Sequence, residues 1–80
     1  MYLYNYLINM YKKEIKKILA TIKKRRSQLG YTQMFIAEKL HVTQNVYSKI
    51  ESNKIKLTAC RLSLLCDILE IDIVNLLRSV

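Results

Sequence analysis

Asn45, Ser48, Lys49 and Ser52 recur at steps of three, one and three residues, the spacing of one stripe on a helix, and Gln44 lies in the turn that opens it. These types suit one kind of chemistry. A side-chain amide donates and accepts at once, so Gln44 and Asn45 can pair with adenine N6 and N7, and Lys49 can reach guanine or a phosphate. Ser48 shares that face. Ser52, Asn53 and Lys54 follow, offering hydroxyl, amide and charge to a sugar–phosphate backbone. The chain has no nucleophile set beside a base, no carboxylate pair and no glycine-rich phosphate loop, so no enzymatic activity and no cofactor are expected.

The stripe needs a helix and a scaffold. Its other side is apolar (Val46, Tyr47, Ile50), which makes residues 43–52 a helix half-sunk in a core, with the Tyr47 hydroxyl expected at the rim. A second short helix, residues 32–40, precedes it. It turns Ile36, Ala37 and Leu40 inward and Met34 and Phe35 away, and only His41 and Val42 separate the two helices. Two short helices about so tight a turn suit insertion of the second into a DNA major groove. Thr32 and Thr43 are the expected N-caps, because a hydroxyl can accept from the free N–H groups of a first turn.

Upstream, no glycine or proline interrupts residues 1–29. Tyr4, Ile8, Tyr11, Ile15, Ile18, Ile22 and Leu29 follow a heptad-like seam, with Arg25 in its one charged slot. The pattern predicts one long helix, or two with a bend near Lys12-Lys13, stopped at Gly30. Downstream, residues 53–56 read as a loop. Thr58 caps a helix over 59–69 with Leu62, Leu65, Cys66 and Leu69 inward, and Asp72 caps a last helix over 73–77.

The 80 residues make one domain, 51% hydrophobic, with one glycine and no proline, which favours helices. The net charge of +8 is lopsided: residues 1–30 carry eight Lys/Arg against one Glu, and residues 31–80 six against five. That balance suits an anionic partner, nucleic acid ahead of a membrane surface. Cys60 and Cys66 are about 9 Å apart along one helix axis, too far for a disulfide. Nothing beside them completes a metal set. Free thiols fit a reducing cytoplasm, the expected location. The first eleven residues lack a signal-peptide pattern, and no stretch is long enough to span a bilayer.

Over residues 18–77 the chain resembles the Xre/Cro-type, lambda-repressor-like helix-turn-helix family. The carrying residues are Ile22, Arg26, Gly30-Tyr31-Thr32-Gln33, Ile36-Ala37-Glu38-Lys39-Leu40, Val42-Thr43-Gln44, Tyr47-Ser48-Lys49-Ile50-Glu51 and Lys54, then Leu62, Leu65, Leu69, Ile71 and Leu76-Leu77. The resemblance implies an all-α, five-helix domain over 15–80, here behind an N-terminal helical extension over 1–14. It implies sequence-specific binding of double-stranded DNA. Gln44 and Asn45, with Ser48 and Lys49, would contact bases. Gln33, Thr43, Ser52, Asn53 and Lys54 would contact the DNA backbone. Arg26 and Glu51 would form an internal ion pair between the first and third helices. The family's usual glycines are replaced by His41, Asn53 and Glu70. The first two types tolerate positive φ better than most, while Glu70 leaves the end of the fourth helix open.

Tyr2, Leu3, Tyr4, Tyr6, Leu7, Ile8, Met10 and Tyr11 are an apolar surplus, read as a helix that supplies dimer contacts or covers the second helix. A rival dimer strip is Leu64 and Ile68 with Ile73 and Val74. The expected function is a small transcriptional regulator, a repressor, binding as a homodimer to half-sites about 34 Å apart. The alternative is an antitoxin-like module that binds a toxin-like protein through its N-terminal helix.

Overall fold

A computed structural model describes residues 2–78, with side chains from residue 12 onward. The order is α1 (Tyr2–Gln28), α2 (Gln33–Lys39), α3 (Gln44–Glu51), α4 (Ala59–Leu69) and α5 (Ile73–Arg78). The fold is all-α, with no strand among the described residues. α1 runs unbroken through Lys12-Lys13, and the helix expected at the N-terminus is its first part. The side chains of the apolar surplus, and Tyr4, Ile8 and Tyr11 of the seam, lie outside the described residues.

Local chemistry sets where the helices begin and end. Thr32, Thr43 and Thr58 each accept through Oγ1 from the N–H three residues on, Phe35 at 3.0 Å, Val46 at 3.2 Å and Arg61 at 3.2 Å. Asp72 accepts from the Val74 N–H at 3.0 Å and so opens α5. Helices α1 to α4 all stop at a left-handed residue: Gly30 (φ 74°), His41 (58°), Asn53 (63°) and Glu70 (56°). At each, the next amide turns back on the last turn: Tyr31 to Arg26 O, Val42 to Ala37 O, Lys54 to Lys49 O and Ile71 to Cys66 O. This is the Schellman closure, which satisfies carbonyls that a helix end leaves free.

A Cβ on Gly30 would meet nothing within 4 Å, so only its φ asks for glycine. Glu70 holds the same region with a side chain that gains nothing from it, at a cost of about 1–2 kcal/mol. Glu70→Gly is therefore expected to raise stability by about 1 kcal/mol, measured by urea unfolding. The Arg25–Glu70 pair it removes is 3.6 Å long with an exposed Glu70 end, and such pairs contribute little.

The core is built from Ile15, Ile18, Leu19 and Ile22 of α1, Ile36, Ala37 and Leu40 at α2, Tyr47 and Ile50 of α3, Leu57, then Leu65, Cys66, Leu69 and Leu76. α2 packs on α3, α1 packs on α4 and α3, and α2 also meets α4. The apolar side of α3 is thus backed by α1 and α2. Leu19 falls off the heptad seam yet is buried, because α1 faces two neighbours and needs a broader apolar face.

Phe35 departs from expectation. Met34 is exposed, but Phe35 is half-buried, with its ring 4.6 Å from that of Tyr31 and Lys39 Nζ 5.3 Å above it. Arg25, the charged slot of the seam, donates from Nε to Leu69 O at 2.9 Å and so tethers α1 to the end of α4.

Candidate nucleic-acid interface

Burial of Tyr47 and Ile50 fixes the rotation of α3 about its own axis. Its polar stripe is consequently outward: Gln44, Asn45 and Lys49 are exposed and Ser48 is half-buried. Ser52, Asn53 and Lys54 continue the surface, all exposed, with Ser52 Oγ donating to Lys49 O at 3.3 Å. Thr43 holds the first turn through its cap. Among the described residues the amides of Gln44 and Asn45 bond nothing within the chain, so no internal bond must break before they meet a base.

Behind α3 stands a charged cluster. Arg26 Nε donates to Glu51 Oε2 at 2.9 Å and Nη2 to Oε1 at 3.0 Å, a two-pronged pair joining α1 to α3. Arg26 Nη1 also donates to Tyr31 O at 2.9 Å, which ties in the turn before α2. The side chains of Arg26 and Glu51 are 13% and 3% exposed, so the pair is largely out of water. Gln33, at the start of α2, donates from Nε2 to Glu51 Oε1 at 3.3 Å. Burial alone would push the Glu51 carboxyl up, but hydrogen bonds led by that from Arg26 hold it below the ordinary value.

Tyr47 corrects the expectation of a hydroxyl at the rim. Its residue is fully buried, and Oη makes no hydrogen bond. Burial, then the nearby Glu51 carboxylate, push this phenol far up, and it stays neutral. A buried polar atom without a partner costs about 1–3 kcal/mol. Tyr47→Phe keeps the ring and removes the unpaired hydroxyl together with its interaction with Glu51, and is expected to leave stability within about 1 kcal/mol of wild type in thermal or urea unfolding.

A groove of about 360 Å³ runs between α1 and the end of α3, lined by Lys16, Leu19, Ala20, Lys23, Glu51, Ser52 and Asn53. A smaller one of about 220 Å³ adjoins it, lined by Lys23, Gln33, Ser48, Glu51 and Ser52. Lys23 lines both grooves, and its only signal in the sequence is the seven-residue spacing from Lys16. Cys66 is buried, which raises its thiol pKa, and Cys60 is exposed. Among the described residues no group of His, Cys, Asp and Glu could hold a metal ion.

A family model described as Helix-turn-helix matches residues 22–76, more than half of the chain. The chain belongs to the Xre/lambda-repressor-like helix-turn-helix family. It is a DNA-binding helix-turn-helix regulator, and α2–α3 is the element that gives the family its name. No curated protein and no solved structure matches it. The match begins at Ile22, so most of α1 lies ahead of it. No helix among the described residues is long and apolar enough to cross a membrane.

Proposed function

We propose that this helix-turn-helix protein is a sequence-specific repressor that seats α3 in the major groove of double-stranded DNA. The observation that carries the reading is the exposed amide pair Gln44–Asn45 at the capped first turn of α3, free of bonds within the chain. In this seating Gln44 and Asn45 meet base edges, with Ser48 and Lys49 one turn on. Gln33, Thr43, Ser52, Asn53 and Lys54 hold phosphates and fix the register. Repression then follows from occupancy, since a covered promoter excludes other proteins.

Homodimerisation is part of the proposal. Leu64, Val74 and Leu77 are 45%, 52% and 50% exposed on α4 and α5, and a second copy would cover them. Ile68 and Ile73 pack partly on the core, so this strip is narrower than its sequence suggested. In the antitoxin-like reading, the apolar composition of residues 1–14 is what a toxin-like protein partner would recognise.

The test is selection from a randomised duplex pool at physiological salt, followed by sequencing of what the protein retains. An enriched inverted repeat is expected, and its spacing gives the dimer geometry. Retention without enrichment would overturn sequence reading and leave only electrostatic attachment.

A further inference from the structure

We propose that Lys16 and Lys23 of α1 form a second phosphate contact, outside the half-site read by α3 and continuous with it. The inference rests on the proposed seating of α3 in DNA. Lys23 lines the smaller groove beside Gln33, Ser48 and Ser52, three side chains that this seating sets against DNA. Lys16 and Lys23 then line the larger groove, with Ser52 and Asn53 opposite. The basic surface thus leaves the end of α3 and climbs α1.

Spacing and charge favour a nucleic-acid backbone as the occupant. Seven residues are two helical turns, or about 10 Å along α1, which sets both ammonium groups on one side of the helix, a span that one DNA strand can follow. Leu19 and Ala20 lie between the lysines and put no long polar side chain into the groove. Both lysines are exposed, and among the described residues neither forms an ion pair. The one carboxylate in the groove wall, Glu51, is engaged by Arg26. Two ammonium groups therefore face the groove without a counter-charge from the chain, while Ser52 and Asn53 offer a hydroxyl and an amide across it. Lys16 precedes the family-matched segment and Lys23 lies just inside it, so the added footprint runs along α1 beyond that segment.

The experiment is the double variant Lys16→Gln/Lys23→Gln, with wild-type protein alongside. Both side chains are exposed, so unchanged thermal melting is the check on folding. Each protein is titrated with the selected duplex, with a random-sequence duplex of equal length, and with the selected duplex trimmed to its half-sites, from about 50 to 200 mM salt. The expected loss at physiological salt is on the order of tenfold on both full-length duplexes, with their affinity ratio unchanged. The slope of log affinity against log salt is expected to fall by about 0.9 for each phosphate released, near two per protomer. Trimming should bring the wild type down to the variant and leave the variant where it was.

Equal affinities and slopes for the two proteins on full-length duplexes would overturn the second contact while leaving α3 as the reader. A changed ratio between selected and random duplexes would overturn it too, because phosphate contacts carry no sequence information. Failure of the wild type to bind any duplex would overturn the seating of α3 itself, and the second contact with it.

Discussion

Arg26→Met is expected to lower the free energy of unfolding by about 3–5 kcal/mol at neutral pH, the cost of leaving a buried charge without its partner. For a domain of this size a kcal/mol corresponds to about 4–8 °C, so the melting temperature should fall by roughly 12 °C or more. The reason is geometric. Glu51 is 3% exposed and takes both prongs of the guanidinium, leaving Gln33 at 3.3 Å as its remaining hydrogen bond. The same substitution removes the Arg26 bond to Tyr31 O, loosening the approach to α2. Glu51→Leu added to Arg26→Met is expected to recover part of the loss, because the double variant buries no lone charge.

The pH dependence of this pair has a definite sign. Glu51 in the folded wild type titrates below the ordinary glutamate value, held there by the Arg26 guanidinium. Its contribution is therefore fully present above about pH 4.5 and is lost as pH falls through the folded value. In Arg26→Met the sign reverses. Burial without the guanidinium raises the folded Glu51 above its unfolded value, so that variant loses stability from this group as pH rises. The gap between wild type and Arg26→Met should thus be widest near neutrality and narrow on acidification. Urea unfolding at pH 7 and near pH 4 measures it, and a gap that widened in acid would refute the assigned roles.

Gln44→Ala is expected to weaken binding to the preferred duplex by about 1–3 kcal/mol, roughly 5- to 150-fold in Kd, and to relax preference at one base pair. Gln44 is the first residue of α3 and is exposed, with Thr43 capping the turn that carries it. The cap resides on Thr43, so the truncation should leave folding unchanged and the effect should appear only on DNA. Competition titration against duplexes altered one base pair at a time measures both parts. Wild-type affinity on every duplex would show that α3 is not the reader.

Much of the fold was legible because it depends on neighbours in sequence. Thr32, Thr43 and Thr58 cap within three residues of themselves, and Gly30 closes α1 within its last turn. The apolar spacing of Ile36-Ala37-Leu40 and of Leu65-Cys66-Leu69 identified the buried sides of α2 and α4. What was hidden depends on distant partners. Arg25 reaches a carbonyl 44 residues away, and its sequence signal was only a charge in an apolar seam. Phe35 reads as outward from α2 alone, yet Tyr31 and Lys39 both lie against its ring.

The sequence by itself determined the helices, their order, the family and the residue types on the outward stripe of α3, since periodicity and capping act over one or two turns. Tertiary packing decided the rest. It buried the Tyr47 hydroxyl without a partner, because α1 and α2 close over α3 from behind. It also set Lys16 and Lys23 beside Ser52 and Asn53, which no helical period could reveal, because the two walls of that groove come from segments about thirty residues apart and meet only when the apolar faces of α1 and α3 are buried together.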